Sequence, residues 1–138
     1  MSKPIRKTSV FSHEQDEAFQ LTMALDLLLH KATPVRGTGI ERAALKERVA
    51  RIAHCIGQAD LFANVADRRE PYERAFELSR VSFITLALRE LGESLTDAQY
   101  QEARTLVQKL RVILRKRCDA ANGLQPGAQP PADRDLLH

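Results

Sequence analysis

Residues 95–123, LTDAQYQEARTLVQKLRVILRKRCDAANG, decide the fold class. Thr96 stands three residues before Gln99. Its hydroxyl can accept from the Gln99 amide while the Gln99 side chain reaches back to the Thr96 amide, a reciprocal capping box. Leu95 just ahead can staple onto Tyr100, and Asn122-Gly123 supplies a left-handed stop. Between these signals Ala103, Leu106, Val107, Leu110, Ile113, Leu114 and Cys118 recur at spacings of three and four, which predicts an amphipathic helix to Ala121.

Working towards the N-terminus, Pro71 suits a first helical turn. A third helix is therefore expected from Glu70 to Leu91, with Gly92 as its terminator. Tyr72, Ala75, Phe76, Phe83 and Leu86 make one stripe, and Val81, Ile84, Leu88 and Leu91 a second, so Val81 to Leu88 reads as apolar nearly all round. By period alone that octet also passes as a buried strand, but its flanks of Glu- and Arg-rich helix formers favour a helix. Ahead of it, Thr38 and Glu41 form a capping box. Leu45, Val49, Ile52, Ile56, Ala59, Ala63 and Ala66 then make a seam that thins from Leu and Ile to Ala, with a break allowed near residue 58 beside Gly57. The first helix is expected from His13 to Ala32, boxed by Ser12 and Gln15. It too carries two stripes: Ala18, Leu21, Leu25, Leu28 and Ala32 on one face, and Phe19, Met23 and Leu27 on a nearly opposite one.

Composition agrees with an all-α chain. Ala and Leu contribute 18 residues each against 13 Val plus Ile, a bias towards side chains that lose little freedom in a helix. Short connections favour antiparallel neighbours, so a four-helix up-and-down bundle is the expected architecture. The domain divides into a flexible basic arm at 1–11, the helical bundle at 12–123 and a Pro/Gly-rich disordered tail at 124–138. No apolar run is long enough for a membrane span or a signal-peptide core, and two cysteines in 138 residues make no disulfide framework. These features point to a cytoplasmic protein of bacterial type.

Catalytic and metal-binding patterns are sparse. His13, His30, His54 and His138 include no pair at i, i+3 or i, i+4, which removes the common helical zinc pair, and the Glu-x-x-His motif of di-iron bundles does not occur. Asp26 and His30 share a helix face and read first as a surface pair; a ligand site built on them requires a polar pocket between helices one and three. Cys55 reads as a small buried hydrophobe and Cys118 as a member of the last helix's core. Gly37-Thr38-Gly39 lacks the strand and lysine of a phosphate loop and is explained by the cap. No cofactor, metal or enzymatic activity is expected.

The excess of apolar faces is the functional signal. It predicts a homodimer that binds and modulates another protein, of which a transcription regulator is one candidate, in the physical class of anti-activators, anti-sigma factors and adaptor chaperones. The interface residues expected are Phe19, Met23 and Leu27 on helix one with Val81, Ile84 and Leu88 on helix three. The alternative is a nucleic-acid accessory protein. Residues 101–123 hold six basic and two acidic groups, and Arg104, Arg111 and Arg115 form an expected exposed stripe adjoined by Lys109 and Lys116. Aromatic residues for base stacking are missing from that stretch, which disfavours sequence-specific reading.

Overall fold

The computed structural model describes residues 16–33, 35, 37 and 39–123. The basic arm, the C-terminal tail and the boxes opened by Ser12 and by Thr38 lie outside the described residues. Four α-helices are packed together, and no strand occurs among the described residues, so the octet Val81–Leu88 is not a strand.

Helix α1 spans Glu17–His30. It starts later than the sequence suggests because Asp16 is its cap: the carboxylate accepts from the Ala18 amide at 2.8 Å. The helix also stops two residues short of Ala32, which is nonetheless buried. Helix α2, Gly39–Asp60, runs through Gly57 and ends at Asp60. Leu45, Val49, Ile52, Ile56 and Ala59 of its seam are buried. Ala63 and Ala66 are exposed, because the helix has ended and with it the periodicity that would turn them inward. A short 3-10 turn, Val65–Arg68, capped by Asn64, leads into α3, Arg69–Ala87.

Helix α3 ends four residues before the expected Leu91. Arg89 takes a left-handed φ of 53°, and a second 3-10 turn follows at Gly92–Ser94. The early end has an energetic reason. A non-glycine residue in that region costs about 1–2 kcal/mol, whereas turning there lets Leu91 and Leu95 reach the core, each worth about 1.5–3 kcal/mol. The start of α4 holds the turn: the Tyr100 hydroxyl donates to the Gly92 carbonyl at 2.7 Å, and Arg89 lies 4.5 Å over the Tyr100 ring while pairing with Asp97. Helix α4, Asp97–Ala121, carries the expected capping box in full, with Asn122 as C-cap and Gly123 at φ 83°.

The main helix contacts join α1 to α2 and α4, α2 to α3, and α3 to α4. Two core clusters follow. One gathers Leu25 and Leu29 of α1, Leu45 and Val49 of α2, Leu86 of α3, and Tyr100, Ala103 and Val107 of α4. The other gathers Ala18, Ile52, Ile56, Ala75, Leu110 and Leu114. Each cluster draws on all four helices.

The inner side of α3 departs from expectation. Ser79, Ser82 and Thr85 are buried there, so the segment is not apolar all round. The Ser79 hydroxyl donates to the Phe76 carbonyl at 2.6 Å and Ser82 to the Leu78 carbonyl at 2.8 Å, while Thr85 accepts from Arg48 of α2 at 3.1 Å. The two serines are thus satisfied on their own helix and Thr85 by α2, and the small side chains suit a closely packed helix face.

Candidate functional site

Three surface features hold side chains that the core does not use. The first is the outer face of α1. Met23 and Leu27 stand 49% and 54% exposed, and with Ala24, Asp26 and His30 they line a shallow hollow on this one helix. Phe19 is half-buried at the edge of the same face. Asp26 and His30 therefore share the outer surface of α1, and the pocket between helices one and three that a ligand site would need is replaced by this open hollow.

The second is the outer face of α3. Ile84 and Leu88 stand 41% and 67% exposed, and Val81 is half-buried. Leu91, expected on this stripe, is instead core. Because α1 and α3 each pack on α2 and α4 rather than on each other, the six expected interface residues form two separate patches. The sequence reading did not single out Leu61, Phe62 and Val65, which are exposed together in the α2–α3 connection, or Val112, exposed on α4. Leu61, Phe62 and Val65 lie just past a helix end, where periodicity no longer says which way a side chain points; Val112 lies within α4, opposite its buried stripe.

The third is the seam between α3 and α4, where the expected basic stripe lies. Lys109 and Lys116 are exposed, but Arg104, Arg111 and Arg115 are half-buried, which corrects the expectation of a freely exposed stripe. Arg111 is drawn inward by aromatic rings: its guanidinium carbon lies 5.4 Å from the centre of Phe76 and 5.8 Å from that of Phe83, both on α3. Burial there lowers its pKa below the ordinary guanidinium value, and the like charges of Arg80 and Arg115 lower it further, with Glu77 opposing. Arg115 lines a hollow with Glu73, Glu77 and Asp119. Arg104 donates to Gln101 at 2.9 Å. The period of α3 places Phe76 and Phe83 on one apolar stripe but gives no sign that they serve as platforms for an arginine on the next helix, because nothing in one helix's period reports its neighbour's flank.

A separate polar cluster ties the four helices together. Arg117 of α4 donates to Asp16 at 2.5 Å and lies 5.6 Å over the Tyr72 ring, whose hydroxyl meets Asp60 at 3.4 Å. Burial raises the Tyr72 pKa, with Arg117 opposing and Asp60 adding to the shift. The cluster joins the start of α1, the end of α2, the start of α3 and the end of α4, so its work is structural. Cys55 and Cys118 form no disulfide, and both are buried. Among the described residues no group of three or more His, Cys, Asp or Glu is placed to hold a metal ion, and no helix is long and apolar enough to cross a membrane.

Comparison with known proteins finds no family model, no curated protein and no solved structure that matches this chain. The functional reading therefore rests on the surfaces just described.

Proposed function

We propose that this chain is a non-enzymatic regulatory protein that works by binding other proteins, built as an up-and-down four-helix bundle that pairs with a second copy of itself. The observation that carries the reading is the outer face of α1. The core is filled from all four helices without Met23 and Leu27, yet both stand half exposed at neighbouring turns of one helix. Large apolar side chains grouped in this way favour a protein contact over open solvent. A two-fold dimer satisfies the α1 face with the fewest assumptions, since one self-complementary patch closes the assembly. The separate patch at Ile84 and Leu88 then remains for a regulated partner.

The nucleic-acid alternative draws on Lys109 and Lys116, which are exposed. It loses support from the seam, where Arg111 is sheathed by two rings and Arg115 sits among carboxylates. Phosphate tracking depends on free cations along a line.

Thermal unfolding tests the dimer. If copies pair through α1, the melting temperature rises with protein concentration, because association stabilises only the folded state. Met23→Asp removes that dependence while keeping the melting temperature of the dilute wild type. A wild-type melting temperature independent of concentration contradicts the reading, as does a Met23→Asp variant that is unfolded even when dilute, since Met23 would then be part of the core.

A further inference from the structure

One surface carries a chemistry that the apolar patches lack. Between α3 and α4 runs a groove floored by Phe83 and walled on α4 by Gln101, Arg104, Thr105, Gln108 and Lys109. Gln101, Thr105 and Gln108 follow one another at spacings of four and three, so they rise along one face of the helix. Arg111, packed over Phe76 and Phe83, adds a further cation beside the groove; Arg80 acts on it through charge but is itself paired with Glu77, which opposes that effect. Among the described residues lining this groove there is no carboxylate. The next hollow along the same seam is lined by Glu73, Glu77 and Asp119 together with Arg115. The seam is thus cationic in its Phe83 half and mixed in its Phe76 half.

We propose that the Phe83 groove docks an acidic, extended segment of a partner protein, which lays an apolar side chain on Phe83 between carboxylates that meet Arg104 and Lys109. The inference rests on the reading of the chain as a protein-binding module but uses a different face from the α1 patch. Each part of the groove matches one part of such a segment. The ring takes the apolar anchor. The two cations form charge-assisted hydrogen bonds with carboxylates, which are stronger than neutral ones. The amide of Gln108 and the hydroxyl of Thr105 can donate and accept, as an extended main chain requires, and the Gln101 amide, whose oxygen accepts from Arg104, can still donate. A nucleic acid fits less well: single strands are held by stacking of successive bases on several aromatic faces, and among the described residues lining this groove Phe83 is the one ring.

The test is selection of a displayed random-peptide library on the immobilised full chain, followed by fluorescence anisotropy with labelled synthetic copies of the enriched peptides. The expected peptides carry Asp or Glu on both sides of Leu, Phe or Trp, and their binding weakens with salt. Reversing Arg104 and Lys109 together to Glu weakens it by at least about tenfold, while Met23→Asp leaves it unchanged; circular dichroism confirms that both variants keep their helices. The proposal is overturned if selection enriches no acidic peptides, if binding survives the charge reversal, or if a labelled single-stranded oligonucleotide displaces the peptides and binds more tightly. Peptides that lose binding with Met23→Asp instead of the reversal also overturn it, because they locate docking on α1. Concentration-dependent melting reads the α1 pairing separately, so either proposal can fail while the other stands.

Discussion

Helices α3 and α4 pack against each other, yet their buried faces differ in make-up. On α4 the buried positions are Tyr100, Ala103, Val107, Leu110, Leu114, Cys118 and Ala121, while Lys109 and Lys116 face solvent. On α3 the buried positions are Pro71, Tyr72, Ala75, Ser79, Ser82, Thr85 and Leu86, three of them Ser or Thr, while Ile84 and, just past the helix end, Leu88 face solvent. The difference teaches that a helix face is chosen by the space beside it as well as by hydrophobicity. Small hydroxyl residues suit a closely packed face once Ser79 and Ser82 donate to carbonyls of their own helix and Thr85 accepts from Arg48; Tyr72 and Leu86 supply the large buried side chains of α3, and Ile84 falls on its outer face.

That contrast can be broken most strongly on α4. Leu110→Ala removes a fully buried side chain from the second cluster and is expected to cost about 2–5 kcal/mol in urea unfolding. A cost near zero would mean that α4 does not organise the core. On α3 the informative change is an enlargement. Ser82→Leu is expected to cost about 1–3 kcal/mol through overpacking although it raises hydrophobicity, whereas Ser82→Ala stays within about 0.5 kcal/mol because only a local hydroxyl bond is lost and helix propensity improves. If Ser82→Leu stabilises the protein, the inner face of α3 has room to spare and the account of its hydroxyls is wrong.

Helix starts sharpen the same comparison. α4 opens on a complete capping box, and α3 opens on Arg68 with no side-chain cap. Thr96→Ala should therefore cost about 1 kcal/mol. The smallest effect belongs to the exposed stripe: Leu88→Ser is expected to change the stability of the dilute protein by less than about 0.5 kcal/mol, and a larger loss in urea titration would place Leu88 in the core.

What the sequence made legible follows the same line. α4 could be read almost completely, because its cap, staple, stripe and stop all agree and each acts within one turn of the chain. The seam of α2 was legible up to Ala59 and overextended to Ala66, since Ala at heptad spacing looks alike in a helix and past its end. The end of α3 was missed because it depends on where Leu91 and Leu95 must go, and the start of α1 because Asp16 both caps the helix and holds Arg117, 101 residues away. The exposure of Met23, Leu27, Ile84 and Leu88 was anticipated from the double stripes, but their separation into two patches depends on which helices touch. The Phe83 groove was not anticipated at all, because its floor and its walls come from different helices.

The central claim is that the outer face of α1 is a protein interface completed by a second copy of the chain. Light scattering on the eluting peak of a size-exclusion column measures this directly, for the wild type and for Met23→Asp at matched concentrations. The account predicts twice the 15.5 kDa chain mass for the wild type and the single-chain mass for a folded Met23→Asp variant. A wild type that elutes at the single-chain mass at the highest concentration it tolerates, or a variant that keeps the doubled mass, would contradict it.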